Sequence, residues 1–230
     1  MEIKKAAYRI LMLITTPKQV ERTMEVFGSE KITLKYQMSA EGTATSEIMD
    51  TLGLGSTEKT VVFSIMPRNV ATDVLRRLQD ILKFGKVNSG IAFTIPLEGA
   101  TKLVSRILEK MEQEHGNGKE EITMSDIKHS VIAAIVDRGY STEVMTAARE
   151  AGASGGSVIH SRHISDGNVS NLFGFSANED KEIVLIVATE ESRAAIMSKI
   201  GERCGIHSEA KGAVISLPIE SVVGLSTKAE

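Results

Sequence analysis

One cysteine, four prolines and no tryptophan are all that 230 residues hold of three residue types that constrain folds strongly. A single thiol, Cys204, leaves no partner for an intrachain disulfide and no second thiolate for a metal cluster. A small buried hydrophobe is what such a lone residue most readily becomes. Charge of one sign is lacking too. The 27 Lys and Arg face 30 Asp and Glu, a net −3, so no global positive field draws in nucleic acid or anionic lipid. Long hydrophobic runs are missing. Uninterrupted runs such as Ile10 to Ile14 and Ile183 to Ala188 fall far below the ~20 residues of a bilayer-crossing helix. The first residues, Met1 to Arg9, lack the apolar stretch and small-residue cleavage site of a secretory signal, which sets the expectation of a cytoplasmic address. What is present is ordinary globular usage, 42% hydrophobic and 25% charged, enough to bury a core.

The chain repeats itself. Lys59-Thr-Val-Val-Phe-Ser-Ile-Met66 lies over Lys181-Glu-Ile-Val-Leu-Ile-Val-Ala188 at an offset of 181 − 59 = 122. Val74, Leu75 and Leu78 then fall on Ile196, Met197 and Ile200, keeping the spacing of one helix face. Pro96 meets Pro218 at the same offset, inside Ile91-Ala-Phe-Thr-Ile-Pro-Leu-Glu98 and Ala213-Val-Ile-Ser-Leu-Pro-Ile-Glu220. Upstream, Val20 to Gly28 pairs with Val144 to Gly152 as the offset drifts by up to two. A repeat of this length fixes the architecture before any motif does.

Within the second copy, periodicity orders the elements. Val131 to Val136 is an apolar run of strand length. A helix follows, with Ser141 or Thr142 as its cap, Glu143 in its first turn, Val144, Ala147, Ala148 and Ala151 as one stripe, and Gly152 at its end. Ser157 to Arg162 reads as the second strand, Ser165 to Asp180 as a loop, and Ile183 to Ala188 as the third strand. Glu190 to Glu202 and Ala213 to Pro218 complete the copy as helix and strand. The expected class is therefore α+β: two ferredoxin-like βαββαβ domains in tandem, each an antiparallel sheet with helices on one face. The expected boundaries are 1–115 for a degenerate first domain, 116–129 for a linker, and 130–230 for the second. Ala100 to Glu114 reads as a further helix, with Leu103, Ile107 and Met111 on one face. A sheet face without helices leaves apolar side chains uncovered, and association through it is the usual remedy.

Gly139-Tyr-Ser-Thr-Glu-Val-Met-Thr-Ala-Ala-Arg-Glu-Ala-Gly-Ala-Ser-Gly-Gly-Ser-Val-Ile-His-Ser-Arg162, with Lys181 to Ala188 and Ile215 to Leu225, resembles the P-II nitrogen-regulatory family and its P-II-like relatives. The second copy carries the resemblance over nearly its full length; the first shares the element order, the register and Ile95-Pro-Leu. The resemblance implies a non-enzymatic signal-transduction protein, a homo-oligomer and in the family a trimer. Such a protein binds ATP or ADP, or another small effector, in clefts between neighbouring units. It regulates a partner enzyme or transporter in nitrogen metabolism through the long loop between its second and third strands.

Carried over by position, the effector-binding residues are Arg162, His163, Lys211 and Gly212, and the partner loop offers Leu172, Phe173 and Phe175. Where the family writes Gly-Asp-Gly-Lys before the fourth strand, this chain reads Ala210-Lys-Gly-Ala213. Ser221 and Gly224 stand where the family places arginines, His163-Ile-Ser165 replaces Gly-Phe-Gly, and no tyrosine lies between Ser165 and Asp180.

Two other readings stay open. A metal- or anion-responsive module on the same scaffold would use His160, His163 and His207, although on a strand positions i and i+3 point to opposite faces. A structural scaffold without nucleotide binding is the other. Asp137-Arg138 reads as a solvated strand end. No phosphate loop, dinucleotide fingerprint, nucleophile elbow or zinc-protease motif occurs, so an enzyme is not expected.

Overall fold

The uninterrupted run Val131 to Val136 forms the inner strand of a sheet, as expected of residues apolar on both faces. A computed structural model describes residues 7–43, 57–83, 90–97, 100, 102–115, 128–162 and 180–225. In its first half the elements are β1 (Tyr8–Thr15), α1 (Pro17–Ser29), β2 (Leu34–Gly42), β3 (Glu58–Pro67), α2 (Arg68–Leu82), β4 (Ile91–Leu97) and α3 (Lys102–His115). The second half has β5 (His129–Asp137), α4 (Ser141–Glu150), β6 (Ser157–Arg162), β7 (Asp180–Thr189), α5 (Glu190–Cys204), β8 (Ala213–Ile219) and β9 (Ser221–Val223). Both halves thus read βαββαβ. β7, α5 and β8 begin and end 122 residues after β3, α2 and β4, for example 189 − 67 = 122.

The chain divides into two compact units that are not continuous in sequence. Unit 1 holds residues 1–38, 59–127 and 218–230, and unit 2 holds 39–58 and 128–217. In unit 1 the strand order is β2-β3-β1-β4-β9, with β1 antiparallel to both β3 and β4. The helix-facing residues of those strands, Leu11, Leu13, Val62, Met66 and Ala92, meet Phe27 of α1 and Val70, Val74 and Leu78 of α2 in one core. Met111 of α3 joins that core and Leu108 is fully buried; Ile107, expected on the inward face, is only partly buried. The inward face of α3 therefore includes Met111, as expected, and Leu108 beside it.

In unit 2 the order β8-β5-β7-β6 is that of a ferredoxin-like sheet, with β5 and β6 both antiparallel to β7. Ile132, Ala134, Val136, Val184 and Ile186 pack beneath Val144, Ala147 and Ala148 of α4 and Ile196 and Ile200 of α5. Small alanines on α4 let that helix lie close to the sheet. Gly156 shows how close, since a Cβ there would stand 2.9 Å from the Leu185 carbonyl oxygen and from the Met145 sulfur. Glu41 and Gly42 pair with Val158 and Ser157, and the Thr43 hydroxyl both accepts from the Gly156 amide (2.8 Å) and donates to its carbonyl (2.9 Å).

Cys204 ends α5 inside this core, and burial, then the Glu143 charge, pushes its thiol above the ordinary range. Labelling with a disulfide reagent at neutral pH should therefore proceed only as fast as unit 2 opens, and at full speed in denaturant. Fast stoichiometric labelling of the native protein would contradict this burial.

Candidate functional site

One end of the unit 2 sheet gathers most of its polar chemistry. β5 leaves the sheet at Asp137-Arg138, β6 at Arg162, and β7 enters it at Asp180. The Asp137 amide donates to the Ala210 carbonyl (3.0 Å) and the Arg138 amide to the Asp180 carbonyl (3.2 Å). Asp180 is in turn the register partner of Arg162. Four strands therefore bring Arg162, Asp180, Arg138, Asp137 and the turn into β8 side by side. Segment 163–179, which carries His163 and the partner-loop residues Leu172, Phe173 and Phe175, lies outside the described residues. Its two roots, Arg162 and Asp180, are at this end.

The turn into β8 is built by Lys211 and Gly212. Lys211 adopts φ +43, a left-handed conformation, and its amide donates to the Ser208 carbonyl (3.1 Å). Its ammonium has no ion-pair partner among the described residues. Gly212 is required by contact: a Cβ there would lie 1.9 Å from the Cys204 carbonyl oxygen. The glycine lets β8 pass against the end of α5, a packing need that the family comparison does not reveal.

A buried ion pair and a buried carboxylate flank this end. Lys181, 4% exposed, pairs with Asp137 on the face of the sheet without helices. On the helix face, Glu182 accepts from the Ser141 amide (3.0 Å) and so caps α4. That corrects the sequence expectation, since neither Ser141 nor Thr142 caps with its own side chain. A carboxylate from β7 supplies the cap and suits the positive end of the helix. Arg138 and Asp180 form a pair (3.3 Å) exposed on both sides, weak enough for a ligand oxygen to replace the carboxylate. Desolvation, then the carboxylates of Glu209, Glu143 and Asp137, raises the Tyr140 phenol above its usual range.

Of the three candidate histidines, His160 and His207 are among the described residues, and these two lie apart. His160, on β6, stands between Glu41 (3.4 Å from Nε2) and Glu182 (3.8 Å from Nδ1), so its two nitrogens face different carboxylates. His207 lies on the connection into β8, at the opposite edge of the sheet order. Three strand spacings, about 14 Å, separate those edges. Among the described residues no group of three or more His, Cys, Asp or Glu could hold a metal ion. The cationic groups of this end are Lys211 and Arg138, the chemistry that attracts an anion.

No family model matches the chain, and no curated protein does. Among solved structures, the Arabidopsis thaliana PII protein bound to citrate is 22% identical over 42% of this chain and 79% of its own, with a TM-score of 0.32. The B. subtilis GlnK-ATP complex is 13% identical over 43% of this chain and 90% of its own, also at 0.32. The regulatory subunit of aspartate kinase from Thermus flavus is 10% identical over 86% of this chain and 92% of its own, at 0.27. The ferredoxin-like assignment rests on the strand order and helix placement within each unit. Among the described residues no helix is long and apolar enough to cross a membrane.

Proposed function

We propose that the protein is a non-enzymatic, P-II-like regulatory protein of the cytoplasm that binds a small anionic effector at the polar end of unit 2. The effector class named by the sequence resemblance is an adenine nucleotide. Its phosphates would meet Lys211, the Gly212 turn, Arg138 and Arg162, and its presence would control how segment 163–179 engages a partner enzyme or transporter of nitrogen metabolism. One observation supports this reading above the others: the unpaired Lys211 ammonium and its left-handed turn share one sheet end with both roots of that segment.

Calorimetry of the full chain with ATP, ADP and AMP tests it. Saturable heat with Kd on the order of 10–100 µM is expected for at least one nucleotide, lost in the Lys211→Ala, Arg162→Ala double variant. Absence of heat and of any thermal shift at millimolar nucleotide would remove the nucleotide from the account.

Assembly belongs to the same proposal. Alternation along β8 places Ile215 and Leu217, 49% and 41% exposed, on the unit 2 face that carries no helix. A face this apolar favours self-association, and three chains suit the resemblance. Light scattering should return three times 24.8 kDa, falling in Ile215→Asp. A stable monomer for the unsubstituted protein would end the assembly proposal.

A further inference from the structure

Within unit 1, two arginines close on one carboxylate. Arg9 on β1 is 3% exposed. Its guanidinium grips Glu220 in a two-point fork, Nε to Oε2 and Nη2 to Oε1 (2.7 Å), while Nη1 donates to the Tyr8 carbonyl (2.8 Å). Arg68, the first residue of α2, brings Nη2 to 3.0 Å from the same Oε1. That nitrogen is buried yet makes no hydrogen bond, because the carboxylate oxygen lies off its N–H directions. Two guanidinium groups thus share one carboxylate, and a buried cationic donor is left without an acceptor. α2 adds to the imbalance: its N-cap is Pro67, with no side-chain cap, and no acidic residue stands in its first turn.

The carboxylate arrives on a short strap at the sheet edge. Glu220 precedes β9, which pairs with β4 over three positions, Ser221 to Val223, and the Glu220 amide donates to the Thr94 carbonyl (3.0 Å). A three-residue edge strand, paired on one side, opens more readily than the inner strands.

We infer that Arg9 and Arg68 form a phosphate-dianion receptor in which Glu220 is the resident internal ligand, so that a phosphate or phosphorylated ligand displaces Glu220 and frees the β9 strap. A dianion balances two guanidinium charges where a carboxylate balances one, and its tetrahedral oxygens give the Arg68 Nη2 the acceptor it lacks. Glu220 competes at the effective concentration of a tethered group, which sets the ligand range at millimolar.

Backbone amide exchange of the full chain, read by NMR, tests this with inorganic phosphate as the probe. At about 20 mM phosphate the Glu220 amide should exchange about tenfold faster, with sodium chloride at equal ionic strength leaving it unchanged. Arg68→Gln should abolish the phosphate response, and Glu220→Gln should bind phosphate about tenfold more tightly than the unsubstituted chain. No acceleration by phosphate, or the same acceleration by chloride, overturns the inference in the unsubstituted protein, whatever the variants do. Arg68→Gln should keep its adenine-nucleotide response in unit 2, so the two proposals fail separately.

Discussion

Replacing Gly212 by alanine should destabilise unit 2 by about 3 kcal/mol or more, among the largest single-residue effects in the chain. The added methyl would stand 1.9 Å from the Cys204 carbonyl oxygen and 3.0 Å from Val136 Cγ1, and the first of these is backbone that cannot rotate away. Either β8 moves off the end of α5 or the last turn of that helix unwinds. Lys211→Ala is the matching control. It exchanges one non-glycine residue for another in the same left-handed conformation and removes no ion pair among the described residues, so stability should stay within about 0.5 kcal/mol. Chemical denaturation of both variants separates the packing demand at Gly212 from the contribution of the Lys211 side chain. A Gly212→Ala variant as stable as its parent would mean that β8 does not run where it is described.

Breaking the Lys181–Asp137 pair should rank next, at about 2–3 kcal/mol for Lys181→Met. Lys181 is almost fully buried and Asp137 is 22% exposed, so removing the cation leaves a carboxylate that water reaches only in part. Adding Asp137→Asn to Lys181→Met should recover more than half of the loss, because no charge then remains to be solvated. The double-mutant cycle, read by denaturant unfolding, gives the coupling directly. A cost below about 0.5 kcal/mol for Lys181→Met would place the pair in water rather than at the edge of the core.

Much of this architecture was legible because period and punctuation repeat. Ser157 to Arg162 forms a strand over the residues expected, and the expected strand Ile183 to Ala188 lies within β7. Glu190 opens α5, where Thr189 accepts from the Ser192 amide (3.3 Å). Contacts remote in sequence were not legible. Nothing in a hydrophobic pattern says that Glu220 reaches Arg9, 211 positions away, or that 39–58 belongs with the second unit and 218–230 with the first. β9 is too short for a periodic signal. The cap of α4 was assigned to Ser141 or Thr142 because local rules favour a local hydroxyl; the carboxylate of Glu182 outcompetes them because the sheet delivers it to the helix end. The same limit applies to the candidate site. Lys211 and Gly212 are candidates by resemblance, whereas Arg138 becomes a candidate only because its amide meets the Asp180 carbonyl.

The proposed function requires an adenine nucleotide to bind at the polar end of unit 2. Titration of the isotopically labelled full chain with ATP reads this residue by residue. Saturable amide shifts within unit 2 centred on Ser161, Arg162, Asp137 to Tyr140, Asp180 and Ala210 to Gly212 are the expected result. Shifts centred on other parts of unit 2, or none there up to millimolar ATP, would contradict it.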